Sequence, residues 1–140
     1  MYKILTEAEI IKFLKMALEA AFFSYSPYSH FRVGAILLCE DGSFLKGTNV
    51  ENRSYGLTIC AERTALGNAL SQGKKKFRAL FLASPDAQHP VPPCGACRQV
   101  LSEFVNKKFP IYYCAKNLKY LMQTIGELYP LDSLQELKNL

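Results

Sequence analysis

Cys60-Ala61-Glu62-Arg63 and Pro93-Cys94-Gly95-Ala96-Cys97-Arg98 gather three thiols, one carboxylate and two guanidiniums into two short segments. Zinc takes four ligands, and a catalytic site keeps one of the four positions for water. Cys94 and Cys97 are three apart, so on a helix they share a face. Cys60 opens a second helical stretch, and its thiol meets theirs if the two helix starts converge. Unpaired N–H groups and the positive dipole end of a helix start favour thiolate, the form that binds metal. The spacing therefore predicts a zinc site made by Cys60, Cys94 and Cys97. A closed site that only staples the fold needs a fourth Cys or His. His89, five residues before Cys94, is the only histidine near the motifs. Cys39 and Cys114 fall at the ends of apolar strands and read as core thiols.

Three thiolates give the metal centre a net negative charge, which works against ionising a water there. One or both of Arg63, three after Cys60 on the same helix face, and Arg98, next to Cys97, are expected to donate to the sulfurs and offset that charge. Glu62 sits too far round the helix from Cys60 to ligate the same ion comfortably, yet near enough to move its protons. A carboxylate desolvated in a cleft has its pKa raised toward neutrality, which suits general acid–base work.

The elements that must position these groups follow from periodicity. Thr6-Glu7-Ala8-Glu9 is a capping box. Ile10, Phe13, Leu14, Ala17, Leu18, Ala21 and Phe22 then mark one apolar helix face, with Ser26-Pro27 ending the helix. Two strands, Phe31 to Cys39 and Phe44 to Val50, flank the turn Glu40 to Ser43 as a hairpin. A helix from about Cys60 to Gln72 stops at Gly73. The all-apolar strand Phe77 to Ala83, a proline-rich loop and a helix from about Cys94 to Asn106 come next. Strands at Ile111 to Ala115 and Tyr120 to Gln123 precede short helical pieces from Thr124 to Leu140. Strand and helix alternate in the middle, which argues for crossover connections. The expected fold class is α/β: a three-layer α/β/α sandwich with a mixed sheet of roughly five strands, built as one domain over residues 1–140.

Composition narrows the function classes. Apolar residues make up 49% of the 140 and charged residues 21%, which excludes a disordered or fibrous chain. No apolar run approaches the roughly 20 residues that cross a bilayer, and no secretion pattern opens the chain, so a cytoplasmic protein is expected. Five cysteines without a sign of export argue for metal binding or catalysis over disulfides. Part of the net charge of +5 is the run Lys74-Lys75-Lys76, which reads as a solvated turn after Gly73.

The sequence resembles the cytidine deaminases that act on free nucleosides, in their small homotetrameric form. The resemblance runs through Pro27-Tyr28-Ser29-His30-Phe31-Arg32-Val33-Gly34-Ala35, Asn49-Val50-Glu51-Asn52 and Tyr55 to both cysteine motifs and Gln99-Val100. It implies one Zn2+ per subunit on Cys60, Cys94 and Cys97, with Glu62 relaying protons between the attacking water, the pyrimidine and the departing ammonia. Cytidine or deoxycytidine becomes uridine or deoxyuridine, a pyrimidine-salvage reaction. The resemblance further implies that Phe31 packs on the base, that Asn49 and Glu51 bind the ribose 3′-hydroxyl, and that the Ala61 backbone contacts the pyrimidine edge. Tyr55 comes from a neighbouring subunit, with the sites at subunit interfaces. Polynucleotide deaminases carry His-x-Glu where this chain has Cys-x-Glu, so a free nucleoside is the expected partner, with no nucleic acid and no membrane.

Two departures stand out. Pro92 occupies a position where the family often has Ser, and it retains the backbone carbonyl that this position supplies. The C-terminal stretch Leu128-Tyr129-Pro130-Leu131-Asp132-Ser133-Leu134 lacks the spacer and the phenylalanine that in relatives reaches into a neighbour's base site. Tyr129 is the aromatic at hand. Two alternatives remain open: deamination of another cytosine-bearing molecule such as blasticidin S, and a zinc-stapled RNA-binding domain without turnover.

Overall fold

The computed structural model describes residues 4–139; Leu140, where the expected C-terminal helical stretch ends, lies outside them. Thr6 caps helix α1 (Glu7–Ala21): its hydroxyl accepts from the Glu9 N–H, and the Glu9 carboxylate accepts from the Thr6 N–H, each at 3.2 Å. The helix closes five residues before Ser26-Pro27. The N–H groups of Phe22, Phe23 and Ser24 turn to carbonyls three residues back, which tightens the last turn. That turn aims the Ser24 hydroxyl at Asn49.

Strands β1 (Gly34–Cys39) and β2 (Phe44–Thr48) form the hairpin, followed by a short 3-10 helix at Tyr55–Leu57 and helix α2 (Ala61–Ser71). Strand β3 (Phe77–Ala83), helix α3 (Gly95–Phe104), strands β4 (Pro110–Cys114) and β5 (Tyr120–Thr124) and helix α4 (Ile125–Leu128) complete the order. The sheet runs β2-β1-β3-β4-β5. Only the β3–β4 pair is parallel, because the α3 crossover joins those two strands; the other three pairs are antiparallel. This is the mixed five-stranded α/β/α sandwich that the element order implies.

Successive side chains on a strand face opposite ways, and the two cores follow from that. Ile36, Leu38 and Phe81 meet α1 residues Phe13, Leu14 and Ala17 on one face. Leu37, Leu80 and Ile111 meet Ala65, Leu66 and Leu101 of α2 and α3 on the other. Strand β1 is shorter than the expected Phe31 to Cys39, and β2 stops before Asn49. Residues 31–33 are held largely by side chains: Asn49 binds the Phe31 carbonyl and the Val33 N–H, and Asp86 binds the Arg32 N–H, while the Val33 carbonyl still accepts from the Asn49 N–H at 3.3 Å.

One close approach places the first cysteine motif. A Cβ on Gly47 of β2 would lie 2.2 Å from the Ala61 carbonyl oxygen and 2.4 Å from the Ala65 nitrogen. The first turn of α2 thus rests directly on the β2 backbone, and no side chain fits between them. Gly47→Val is expected to push α2 off the sheet, destabilising the fold by about 1–3 kcal/mol and lowering the zinc bound per chain. Thermal melts and metal analysis of the same sample check both effects.

Candidate active site

Cys60 and Cys94 are the residues that begin α2 and α3, both in extended conformation, and neither side chain makes the usual capping bond to its own helix. Their thiols are free to face each other. Cys60 Sγ and Cys94 Sγ lie 3.7 Å apart, and those two sulfurs and that of Cys97 all fall within 4.8 Å of one another. A disulfide needs about 2.05 Å. Two sulfurs on one tetrahedral zinc, each bonded at about 2.3 Å, sit about 3.8 Å apart. The donor set fits zinc. Cys97 is fully buried, Cys60 half-buried and Cys94 exposed, so the cluster has a wall on one side and an opening on the other.

Hydrogen bonds from Cys97, Arg63 and Cys94 pull the Cys60 thiol down to about 5, against its partial burial. The same Cys60–Cys97 bond leads in pushing the Cys97 thiol up, and its burial adds to the rise. Arg63 Nη2 donates to Cys60 Sγ at 3.4 Å, and the two thiols hold its guanidinium firmly charged. Arg63 Nε is buried without a hydrogen-bond partner among the described residues. Arg98 turns elsewhere. Its Nε donates to the Pro93 carbonyl at 2.7 Å and its Nη1 to the Leu128 carbonyl at 2.8 Å, which leaves Arg63 as the arginine of the pair that serves a thiol sulfur. The turn after α4 returns beside α3 and offers a carbonyl that the thiolates would have to outcompete.

Glu62 is 4% exposed, in the first turn of α2. Burial pushes its carboxyl up to about 7, and the nearby Cys60 charge adds to the rise, while its own N–H and Cys97 pull the other way. Ala61, Glu62, Cys60 and Cys94 line one cavity of about 180 Å³. Phe31 and Asn49 line the same cavity. Ser84 and Cys114 extend the floor at the carboxyl ends of β3 and β4, the end of a parallel pair where open sheets place ligands.

Asn49 is 9% exposed and heavily bonded. Its Oδ1 accepts from Ser24 and from Val33 N at 2.9 Å, and its Nδ2 donates to the Phe31 carbonyl at 2.7 Å. It therefore holds Phe31 at the cavity. His30, with φ of 57°, bends the chain just before Phe31, a left-handed conformation that His tolerates better than most residues. Arg32 grips Asp86 through Nε and Nη2 at 2.9 and 2.8 Å, tying the Phe31 loop to the proline-rich loop before Cys94. Neither His30 nor Asp86 carried a sequence signal for this task, since their partners are set by φ and by a contact across the sheet.

Glu51 and Tyr55 lie outside the thiol cavity, in an adjoining hollow shared with Tyr28, Ser29 and Thr58. Glu51 accepts from the N–H groups of Tyr28 and Ser29 at 3.0 and 3.2 Å. The Ser29 hydrogen bond leads in holding its carboxyl below the usual range. Thr58 lines both hollows and joins them. Tyr129 is turned away from the cavity, packed on the α2/α3 core with its hydroxyl donating to Gln99.

Residues 7–113 match the family model described as the cytidine and deoxycytidylate deaminase zinc-binding region. The chain belongs to that family. A cytidine deaminase of Halalkalibacterium halodurans is 48% identical over 119 residues, covering 84% of this chain and 88% of the relative. The 1.6 Å crystal structure of a cytidine deaminase from Burkholderia pseudomallei superposes with a TM-score of 0.81 at 38% identity. That match covers 90% of this chain and 98% of the other. A blasticidin-S deaminase of Bacillus cereus is 29% identical over 132 residues, covering 86% of this chain and 89% of that one. Family membership and the sulfur geometry agree on zinc, one ion per chain.

Proposed function

We propose that the protein is a zinc-dependent hydrolase that deaminates free cytidine and 2′-deoxycytidine to uridine and deoxyuridine. The observation that carries the proposal is the buried Glu62 carboxyl on the wall of the cavity that the thiol cluster opens into. Cys60, Cys94 and Cys97 hold the zinc, and the bound ion supplies the Lewis acidity that brings the pKa of a water toward neutrality. Arg63 offsets the thiolate charge through its bond to Cys60. The Glu62 carboxylate takes a proton from the attacking water, gives it to pyrimidine N3, and then assists departure of the 4-amino group as ammonia. One water is consumed, oxygen replaces nitrogen at C4, and a carboxyl poised near 7 can both accept and return the proton.

Binding falls to Phe31, Asn49, Glu51 and the Ala61 backbone. Phe31 offers its ring to the base, and the Ala61 backbone faces the pyrimidine edge. Asn49 keeps a second amide proton beyond the one given to Phe31, available for the ribose 3′-hydroxyl. Glu51, held charged in the adjoining hollow, is the acceptor for that hydroxyl.

Ligand sites commonly span about 300–1,000 Å³, and the 180 Å³ here encloses little more than the base. Exposed aromatic side chains, Phe22, Phe23, Tyr25, Tyr28 and Tyr55, the last two on the adjoining hollow, support closure by neighbouring copies. Tyr55 is 72% exposed, so its ring is free to enter a neighbour's site. We place the protein as a homotetramer, working as a single domain in the cytoplasm, where its free thiols stay reduced. No described helix is long and apolar enough to cross a membrane. Tyr55→Ala is expected to weaken assembly in sedimentation and to raise KM more than it lowers kcat.

Loss of cytidine absorbance on mixing with purified, zinc-loaded protein tests the activity. No turnover of cytidine or deoxycytidine would refute it, and turnover of blasticidin S instead would move the substrate to that class. Salt-dependent RNA binding without turnover would favour the binding-domain alternative.

A further inference from the structure

Arg98 joins two parts of the chain that are distant in sequence. Its Nε holds the carbonyl of Pro93, the residue whose peptide bond leads into Cys94. Its Nη1 holds the carbonyl of Leu128, the last residue of α4. The next residue of α3, Gln99, accepts from the Tyr129 hydroxyl, so two consecutive residues of the helix that carries Cys97 grip the same turn. Pro93 is fully buried and has no N–H of its own. Cys94, in contrast, is exposed and lies in extended backbone at the mouth of the helix, with no side-chain cap bond. Of the three thiols it has the least packing around it.

We propose that Arg98 is a positioning residue for the zinc ligand Cys94: it locks the Pro93–Cys94 peptide onto the turn Leu128–Tyr129. The C-terminal stretch that departs from the family pattern thus acts as a buttress for the ligand loop. The inference rests on the zinc-ligand assignment above. A planar guanidinium serves this task because it offers two donors in fixed relative directions. Removing it leaves two carbonyls without their donor, one of them in the peptide bond that leads into Cys94.

Zinc-loaded wild type, Arg98→Met and Arg98→Lys are compared by the rate of zinc transfer to a chromogenic chelator. Cobalt-substituted samples report ligand geometry through thiolate-to-metal absorption. Arg98→Met is expected to release zinc about 10–100-fold faster, as partners beyond the ligands commonly do, with shifted cobalt bands. Arg98→Lys, which keeps charge and one donor, is expected to fall between the two. A merely structural role would lower the melting temperature while leaving release rate and cobalt bands at wild-type values, and that result overturns the proposal. If Arg98→Met does not fold, Arg98→Lys decides alone: wild-type release and bands overturn, faster release and shifted bands support. A wild type that binds no zinc overturns the ligand assignment itself, and that outcome appears in the control before any variant is read.

Discussion

Glu62→Gln is expected to keep its zinc, to lose about 10²- to 10⁴-fold in kcat, and to melt at a higher temperature than wild type once both are stripped of metal. The first two effects separate proton transfer from metal binding, because Glu62 is not one of the clustered donors. The third follows from the sign of its shift. The folded carboxyl titrates near 7 in place of 4.5, with burial the main cause. Between those values the folded chain holds a proton that the unfolded chain has released, so stability falls as pH rises through this window and stays lower above it. At pH 8 the charge destabilises the metal-free fold by about 3 kcal/mol. A neutral amide escapes that term. The gain should therefore be present at pH 8 and vanish below about pH 4.5. Melts of the two metal-free proteins across that range, beside turnover of the loaded ones, check all three. Equal kcat in the two loaded proteins would remove Glu62 from the chemistry.

Cys97→Ser should be the more severe change. Cys97 is the one fully buried thiol of the cluster, three residues into α3, and its sulfur cannot be replaced by a neighbour swinging in. A hydroxyl is a weak zinc ligand, so affinity should fall by more than the about 10–100-fold that outer partners contribute. Turnover should fall with zinc occupancy. Cys39→Ala makes the matched control: that thiol is equally buried, at the end of β1 and outside the metal-binding group. It should keep full zinc and lose only some stability. Metal analysis after dialysis against a chelator distinguishes the two, and a Cys97→Ser protein that retains one zinc per chain would refute the ligand assignment.

Much of the site could be read from local spacing, because local chemistry makes it. Cys60, Glu62, Cys94 and Cys97 belong to helix starts, and a helix start is announced by nearby residues. The α1 capping box and the strand–helix alternation were legible for the same reason. The partners of Arg98 were not: Leu128 is thirty residues away, and no periodicity tells which carbonyl will return to α3. Asn49 shows the opposite case. Resemblance points to it, yet its bonds to Ser24, Phe31 and Val33 depend on how α1 closes and where β1 begins. The strands stop short of Phe31 and Val50 because apolar composition there serves a cavity wall and two isolated bridges, not a ladder.

Cys60 and Cys94 each begin a helix without the side-chain oxygen that ordinarily satisfies a first-turn amide. One ion drawing both thiols together then fixes two helix starts at once, from segments more than thirty residues apart. Amide hydrogen exchange would register this as cooperativity: the opening turns of α2 and α3 should lose protection as one unit when the metal leaves, while strand β3 between them remains slow. The metal centre is in that sense a latch between two local folding units, and the timing of its loading during biosynthesis bears on when those units become joined.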